Sequence, residues 1–169
     1  MEAVGYDMYL KLLNEEVARQ NGDVLPKQET ECTVDIAVDA HIPESYIGSL
    51  PSRIGIYKRI ADITSNDDAS DVIDELCDRF GEPPEAVMGL IRIALLRNRA
   101  AANGISEIKD TNSGIALVTD NIREETVNKL SVAFGNDFAV SFIGVPAYII
   151  KLKKDTLPKE WLEKLASAL

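Results

Sequence analysis

At 169 residues the chain is long enough for one globular domain with a sizeable core and falls short of two independent ones. Apolar residues at 46% with charged residues at 27% match an ordinary soluble globular protein and argue against disorder, collagen-like repeats and disulfide-rich scaffolds. Lys and Arg number 18 against 28 Asp and Glu, so the net charge of −10 repels phosphate backbones and disfavours unaided nucleic-acid binding.

Cys32 and Cys77 lie far apart without CxxC spacing and His41 is the only histidine, so sulfur and nitrogen ligands for a closed zinc site are lacking. Nothing near Met1 resembles a secretory leader, and no apolar run approaches the roughly 20 residues of a membrane span. A cytoplasmic protein with reduced thiols, no membrane partner and no cofactor is expected.

The first element predicted is a long amphipathic helix, with Tyr6, Tyr9, Leu10, Leu13 and Val17 at helical spacing and Gly22 as its stop. A polar, Pro-containing segment follows, which places a boundary near residue 24. Next, Val34, Ile36 and Val38 alternate with Thr33, Asp35 and Ala37 as in a half-buried strand. Three helices come after it. The first starts at Pro51 and shares Ile54, Tyr57, Ile60 and Ala61 on one face. The second, within DASDVIDELCDRFG, turns Val72, Ile73, Leu76, Cys77 and Phe80 inward and stops at Gly81, which is expected to take φ > 0. The third runs from about Pro84 to Asn103 and buries Val87, Leu90, Ile91, Ala94 and Leu95. Then ISEIKD and GIALVT form a hairpin about Asn-Ser-Gly, and REETVNKLSVAF forms a helix. FAVSFI and AYIIKLK give two more strands, and a last helix carries Trp161, Leu162, Leu165 and Leu169. Because strands and helices fall in blocks, the fold class is α+β: a helical cluster packed on a small mixed or antiparallel sheet, preceded by the long N-terminal helix.

Catalytic signatures are missing from this chain. No GxxxxGK[ST], GxGxxG or GxSxG string occurs, and His41 has no paired nucleophile. Cys77 reads as a small core hydrophobe and Cys32 carries no functional signal. Charge is the distinctive feature: from Asp62 to Glu85 nine acids face the single base Arg79, a net −8. Asp71, Glu75 and Asp78 follow i, i+4, i+7 spacing and share a solvent face, flanked by Asp67, Asp68 and Asp74. Such a face serves as solvated surface, as a docking surface for a basic partner, or as carboxylates gathering Mg²⁺. Helical spacing spreads the carboxylates along a ridge, which makes metal the weakest of the three. Basic residues cluster too, at Arg53, Lys58 and Arg59 and at Lys151, Lys153 and Lys154, while Arg92, Arg97 and Arg99 snorkel at the edge of an apolar helix.

Specific strings add to this. Ile42-Pro43-Glu44-Ser45-Tyr46-Ile47, Arg53 with Ile56-Tyr57-Lys58-Arg59-Ile60-Ala61, and Glu75-Leu76-Cys77-Asp78-Arg79-Phe80-Gly81-Glu82-Pro83-Pro84 resemble the C-terminal domain of the bacterial transcription-repair coupling factors, the Mfd family. The opening Val4 to Leu13 is similar to the helix that ends the RecG-like translocase module of that family. The resemblance is strong over about residues 4–22 and 31–104, and holds over 105–169 only in the order of elements. It implies a linking helix at 1–24 and a regulatory domain at 25–169, within a larger protein that couples transcription to nucleotide excision repair. It further implies a non-catalytic domain that docks on a UvrB-like N-terminal module of the same protein, masks the UvrA-binding surface and restrains the ATP-driven translocase until RNA polymerase is engaged. UvrA and RNA polymerase are then partners through the full-length protein, with no direct nucleic-acid contact by this part. The family's docking string falls on Glu75, Asp78 and Arg79; Asp71 and Asp74 join them on charge alone. Two other classes stay open: a nucleic-acid accessory module using the basic residues, and a Mg²⁺-dependent phosphohydrolase using the acidic ridge. From the missing phosphate loop, isothermal calorimetry of this chain with ATP and Mg²⁺ is expected to show no stoichiometric binding; a stoichiometric isotherm contradicts the reading.

Overall fold

The computed structural model describes residues 31–153 and 156–169. The predicted helix at 1–24, its boundary with the rest, and Lys154 lie outside the described residues. The described residues form two compact units, one of residues 39–94 and one of residues 31–38 and 95–169.

The first unit is helical. Its helices are α1 (Leu50–Ala61), α2 (Asn66–Phe80) and the start of α3 (Glu85–Ala102). Ser49 caps α1 and Pro51 occupies its first turn, where a missing N–H costs nothing. Ile56 and Ile60 of α1, Val72 and Leu76 of α2, and Leu90 and Ile91 of α3 are buried in this unit, together with Ile42, Ile47 and Ile63 of the connecting segments. Two inward assignments shift by a residue. In α1 it is Ile56 that is buried while Ile54 and Tyr57 are half-buried, and in α3 Ile93 and Leu96 are buried while Leu95 is not.

Cys77 is a correction: it is exposed, not part of the core stripe. The buried positions of α2 are Ala69, Val72 and Leu76. At about 100° per residue Cys77 lies roughly 110° round from the midline of that stripe, too far to reach the core. Phe80 is only half-buried, its ring edge-on to Tyr46 at 6.1 Å between centroids.

The second unit holds a five-stranded sheet of β1 (Thr33–Asp35), β2 (Ile105–Thr111), β3 (Gly114–Thr119), β4 (Phe138–Ser141) and β5 (Ala147–Lys151), in the order β1-β2-β3-β5-β4. The sheet is mixed: β1 runs parallel to β2, and every other pair is antiparallel. A parallel neighbour requires a long crossover. Here the chain leaves β1, builds the whole helical unit and returns at β2. One face of the sheet is dry, with Val34, Ile108, Ile115, Leu117, Tyr148 and Ile150 all buried. Helix α4 (Glu124–Phe134) buries Thr126, Leu130 and Phe134; it packs along β4 and against α5 (Pro158–Ala168), which buries Trp161, Leu162 and Leu165. The Tyr148 hydroxyl accepts the Arg123 N–H at 2.8 Å and so stays paired inside this core. Gly114 begins β3 at φ 151°, and a Cβ there would overlap the Ile150 carbonyl oxygen, so the β3–β5 approach needs glycine.

The arrangement of α2 makes a contrast that melting curves can check. Leu76→Ala is expected to cost about 2–5 kcal/mol, whereas Cys77→Ser should stay within about 0.5 kcal/mol. Comparable losses in the two variants would contradict the assigned face.

Candidate docking surface on the second helix

Helix α2 begins two residues before the sequence pattern alone suggests, because Ser65 caps it. The Ser65 hydroxyl accepts the Asp68 N–H at 3.1 Å. The Asp68 carboxylate reaches back to accept the Ser65 and Thr64 N–H groups at 2.9 Å each and the Thr64 hydroxyl at 2.8 Å. This reciprocal box satisfies the orphan donors of the first turn. The signal was present in the sequence as Ser65-x-x-Asp68. At the other end Gly81 sits at φ 85° and donates its N–H to the Cys77 carbonyl at 3.1 Å. Left-handed φ at this stop is what glycine tolerates.

The segment before α1 is tied to that same C-terminal end. The Tyr46 hydroxyl donates to the Gly81 carbonyl at 2.7 Å, and burial, followed by the nearby Cys77, raises its pKa above the ordinary tyrosine value. Ile47 and Tyr46 N–H groups both turn back to the Pro43 carbonyl, and Ile42 donates its N–H to the Tyr57 hydroxyl at 2.9 Å. Arg53, with a side chain only 17% exposed, donates to the Ile47 carbonyl at 3.0 Å and lies 3.7 Å from Glu44.

The acids of α2 divide into distinct environments. Asp71, Asp74 and Asp78 are exposed and have no ion-pair partner among the described residues. They form a ridge opposite the buried stripe. Glu75 does not share that open face, contrary to the spacing argument. It is rotated toward α1, its side chain is 25% exposed, and both carboxylate oxygens are engaged: Oε2 with Arg59 Nη2 at 2.9 Å and Oε1 with Arg79 Nη1 at 2.5 Å. The Arg79 guanidinium also lies over the Phe80 ring, 4.9 Å from its centroid. Sequence reasoning missed Arg59 as a member of the site, since its link to Glu75 crosses from one helix to another and follows no local spacing. Of the other acids in the segment, Glu85 pairs with Arg92 at 2.6 Å, and Asp62, Asp67 and Glu82 are exposed. Among the described residues no three His, Cys, Asp or Glu side chains converge as metal ligands would. His41 lies in the connecting segment with Nδ1 2.8 Å from Asp39.

These features define an α+β domain whose second helix presents a ridge of carboxylates, without ion-pair partners among the described residues, beside an arginine–glutamate cluster. A family model described as the TRCF domain matches residues 36–130, more than half of the chain, and the chain belongs to that family, the C-terminal domain of transcription-repair coupling factor. The transcription-repair-coupling factor of Bacillus subtilis is 26% identical over 174 residues, covering 100% of this chain and 15% of that protein. The Staphylococcus aureus (strain USA300) protein of the same name is 32% identical over 171 residues, covering 98% of this chain and 14% of that protein. The chain thus spans only a small part of the length of these curated relatives. A solved structure, the crystal structure of the C-terminal domain of transcription-repair coupling factor, superposes with a TM-score of 0.75 over 82% of this chain and 89% of that one. At 21% identity that likeness is one of fold.

The capping carboxylate carries a pH dependence. Its hydrogen bonds, led by the Thr64 N–H, hold the Asp68 pKa at about 2 against an ordinary value of 3.8. A carboxylate depressed on folding adds stability that is complete above its unfolded pKa and is lost as the pH falls through the folded one. Between about pH 4 and pH 2, Asp68→Asn should therefore lose less melting temperature than the parent chain; parallel losses would contradict the cap.

Proposed function

We propose that the chain is the regulatory C-terminal part of a cytoplasmic transcription-repair coupling factor, itself non-catalytic, that docks through α2 on a UvrB-like N-terminal module of the same protein. In the docked state it masks the surface UvrA binds and restrains the ATP-driven translocase; engagement of RNA polymerase releases it. The observation that carries this reading is the exposed ridge of Asp71, Asp74 and Asp78, which has no ion-pair partner among the described residues and stands beside an intact Glu75-x-x-Asp78-Arg79-Phe80-Gly81 string in a member of the TRCF family.

The ridge suits a reversible contact. Its charges are hydrated in the free domain, so docking them on a basic surface gains charge-assisted hydrogen bonds without breaking internal pairs. The competing classes draw less support. Arg53 is turned onto the Ile47 carbonyl and Arg59 onto Glu75, which takes two of the cations a nucleic-acid face would need. A Mg²⁺ site requires several oxygens around one point, and the ridge is linear. Among the described residues no helix is long and apolar enough to cross a membrane.

The test places Asp71→Asn and Asp78→Asn together in the full-length protein. Each charge-assisted hydrogen bond lost at a partly buried contact is worth about 1.5–3 kcal/mol, so the closed state should weaken by at least tenfold. UvrA binding and ATP turnover without polymerase should both rise, while the 169-residue chain carrying the same changes melts as the parent does. If both stay at the parent level, the ridge does not hold the closed state.

A further inference from the structure

We propose that the docking surface continues from the acidic ridge into the cleft between α1 and α2, and that this cleft takes an apolar side chain of the partner together with a neighbouring carboxylate. The proposal rests on the docking reading above and names the chemistry of the partner segment. The cleft has a volume of about 490 Å³, and Pro51, Ser52, Gly55, Ile56, Arg59, Glu75 and Arg79 line it. All of these belong to the helical unit.

Its floor is Gly55. This glycine lies in the middle of α1, where glycine is a poor helix former. No left-handed turn or close packing calls for it: a Cβ added there would meet nothing within 4 Å. What the missing side chain leaves is an opening beside Pro51 and over the buried Ile56, with room for a side chain from outside.

The rim is made of donors. Both oxygens of Glu75 are occupied, one by each arginine, so the carboxylate has little to offer a ligand. Each guanidinium carries five N–H donors in a fixed fork. Arg59 and Arg79 each have one group on Glu75, and their side chains remain 56% and 50% exposed. Two cations around one anion leave the rim locally positive beside the acidic ridge of α2. Donors in fork geometry with residual positive charge select an acceptor, and a carboxylate fits best because it can accept from both arginines at once. The partner segment therefore has a mixed pattern: an apolar residue next to an acidic one at the cleft, followed by basic residues that meet Asp71, Asp74 and Asp78. This complementarity of alternating sign discriminates against a uniformly basic surface, which the two arginines would repel.

Gly55→Leu fills the cleft from within. In the 169-residue chain it should melt at or above the parent, because the site is open and leucine is the better helix former. In the full-length protein it should raise UvrA binding and polymerase-independent ATP turnover to at least the level of the Asp71→Asn, Asp78→Asn variant. Parent-level behaviour of Gly55→Leu beside an opened ridge variant overturns the cleft proposal and leaves the docking reading standing. If neither variant opens the protein, the docking reading fails and the cleft proposal with it. Should Gly55→Leu lower the melting temperature, Gly55→Asp decides, since its carboxylate occupies the place assigned to the partner's own: opening supports the proposal and parent-level turnover overturns it.

Discussion

Helix α2 can bury only a narrow stripe, Ala69, Val72 and Leu76, and the rest of the helical unit is arranged around that limit. Burying an ionised carboxylate without a partner costs several kcal/mol, so a helix carrying this many acids cannot be turned inward on a second side. The stripe goes to the core and the charges must be distributed around what is left. That sorting decides which carboxylates are structural and which are free to meet something else.

One residue type thereby serves in different ways along a single helix. Asp68 is spent on the first turn, where the helix dipole and the orphan N–H groups favour a negative charge. Glu75 is spent between two arginines and joins α2 to α1. Asp67, Asp71, Asp74 and Asp78 remain without an ion pair among the described residues, and the last three of them form the ridge. An exposed ridge of this kind acts over roughly a Debye length, about 8 Å at physiological ionic strength, and loses strength as salt rises. The cap is indifferent to salt on that scale because its contacts are hydrogen bonds at close range. A docking contact built from the ridge can thus be released without loosening the helix that carries it.

The strings through which the family resemblance is visible divide in the same way. Ile42, Tyr46, Ile47 and Arg53 act within the unit: they bury apolar surface, staple the segment before α1 to the Gly81 end of α2, and satisfy backbone carbonyls. Tyr46 and Phe80 pack edge to face and the Arg79 guanidinium lies over the Phe80 ring, so this arginine is positioned by the aromatic beside it. Recognition of the family through these residues is largely recognition of a scaffold, and the charged positions ride on it.

The sequence by itself determined the described α-helices and strands to within a few residues, the α+β class, the hairpin at Asn112-Ser113-Gly114, the stop at Gly81 and the concentration of charge between Asp62 and Glu85. These are local: periodicity, turn chemistry and composition act between residues close in the chain. What the tertiary structure alone decided is non-local. The parallel pairing of β1 with β2 joins strands separated by the whole helical unit. The exposure of Cys77 depends on which few degrees of the α2 surface its neighbours cover. Above all, the division of the acids into held and open ones turned on Arg59 of α1 reaching Glu75 of α2, because a spacing rule places side chains on a face of their own helix and says nothing of what the next helix brings against it.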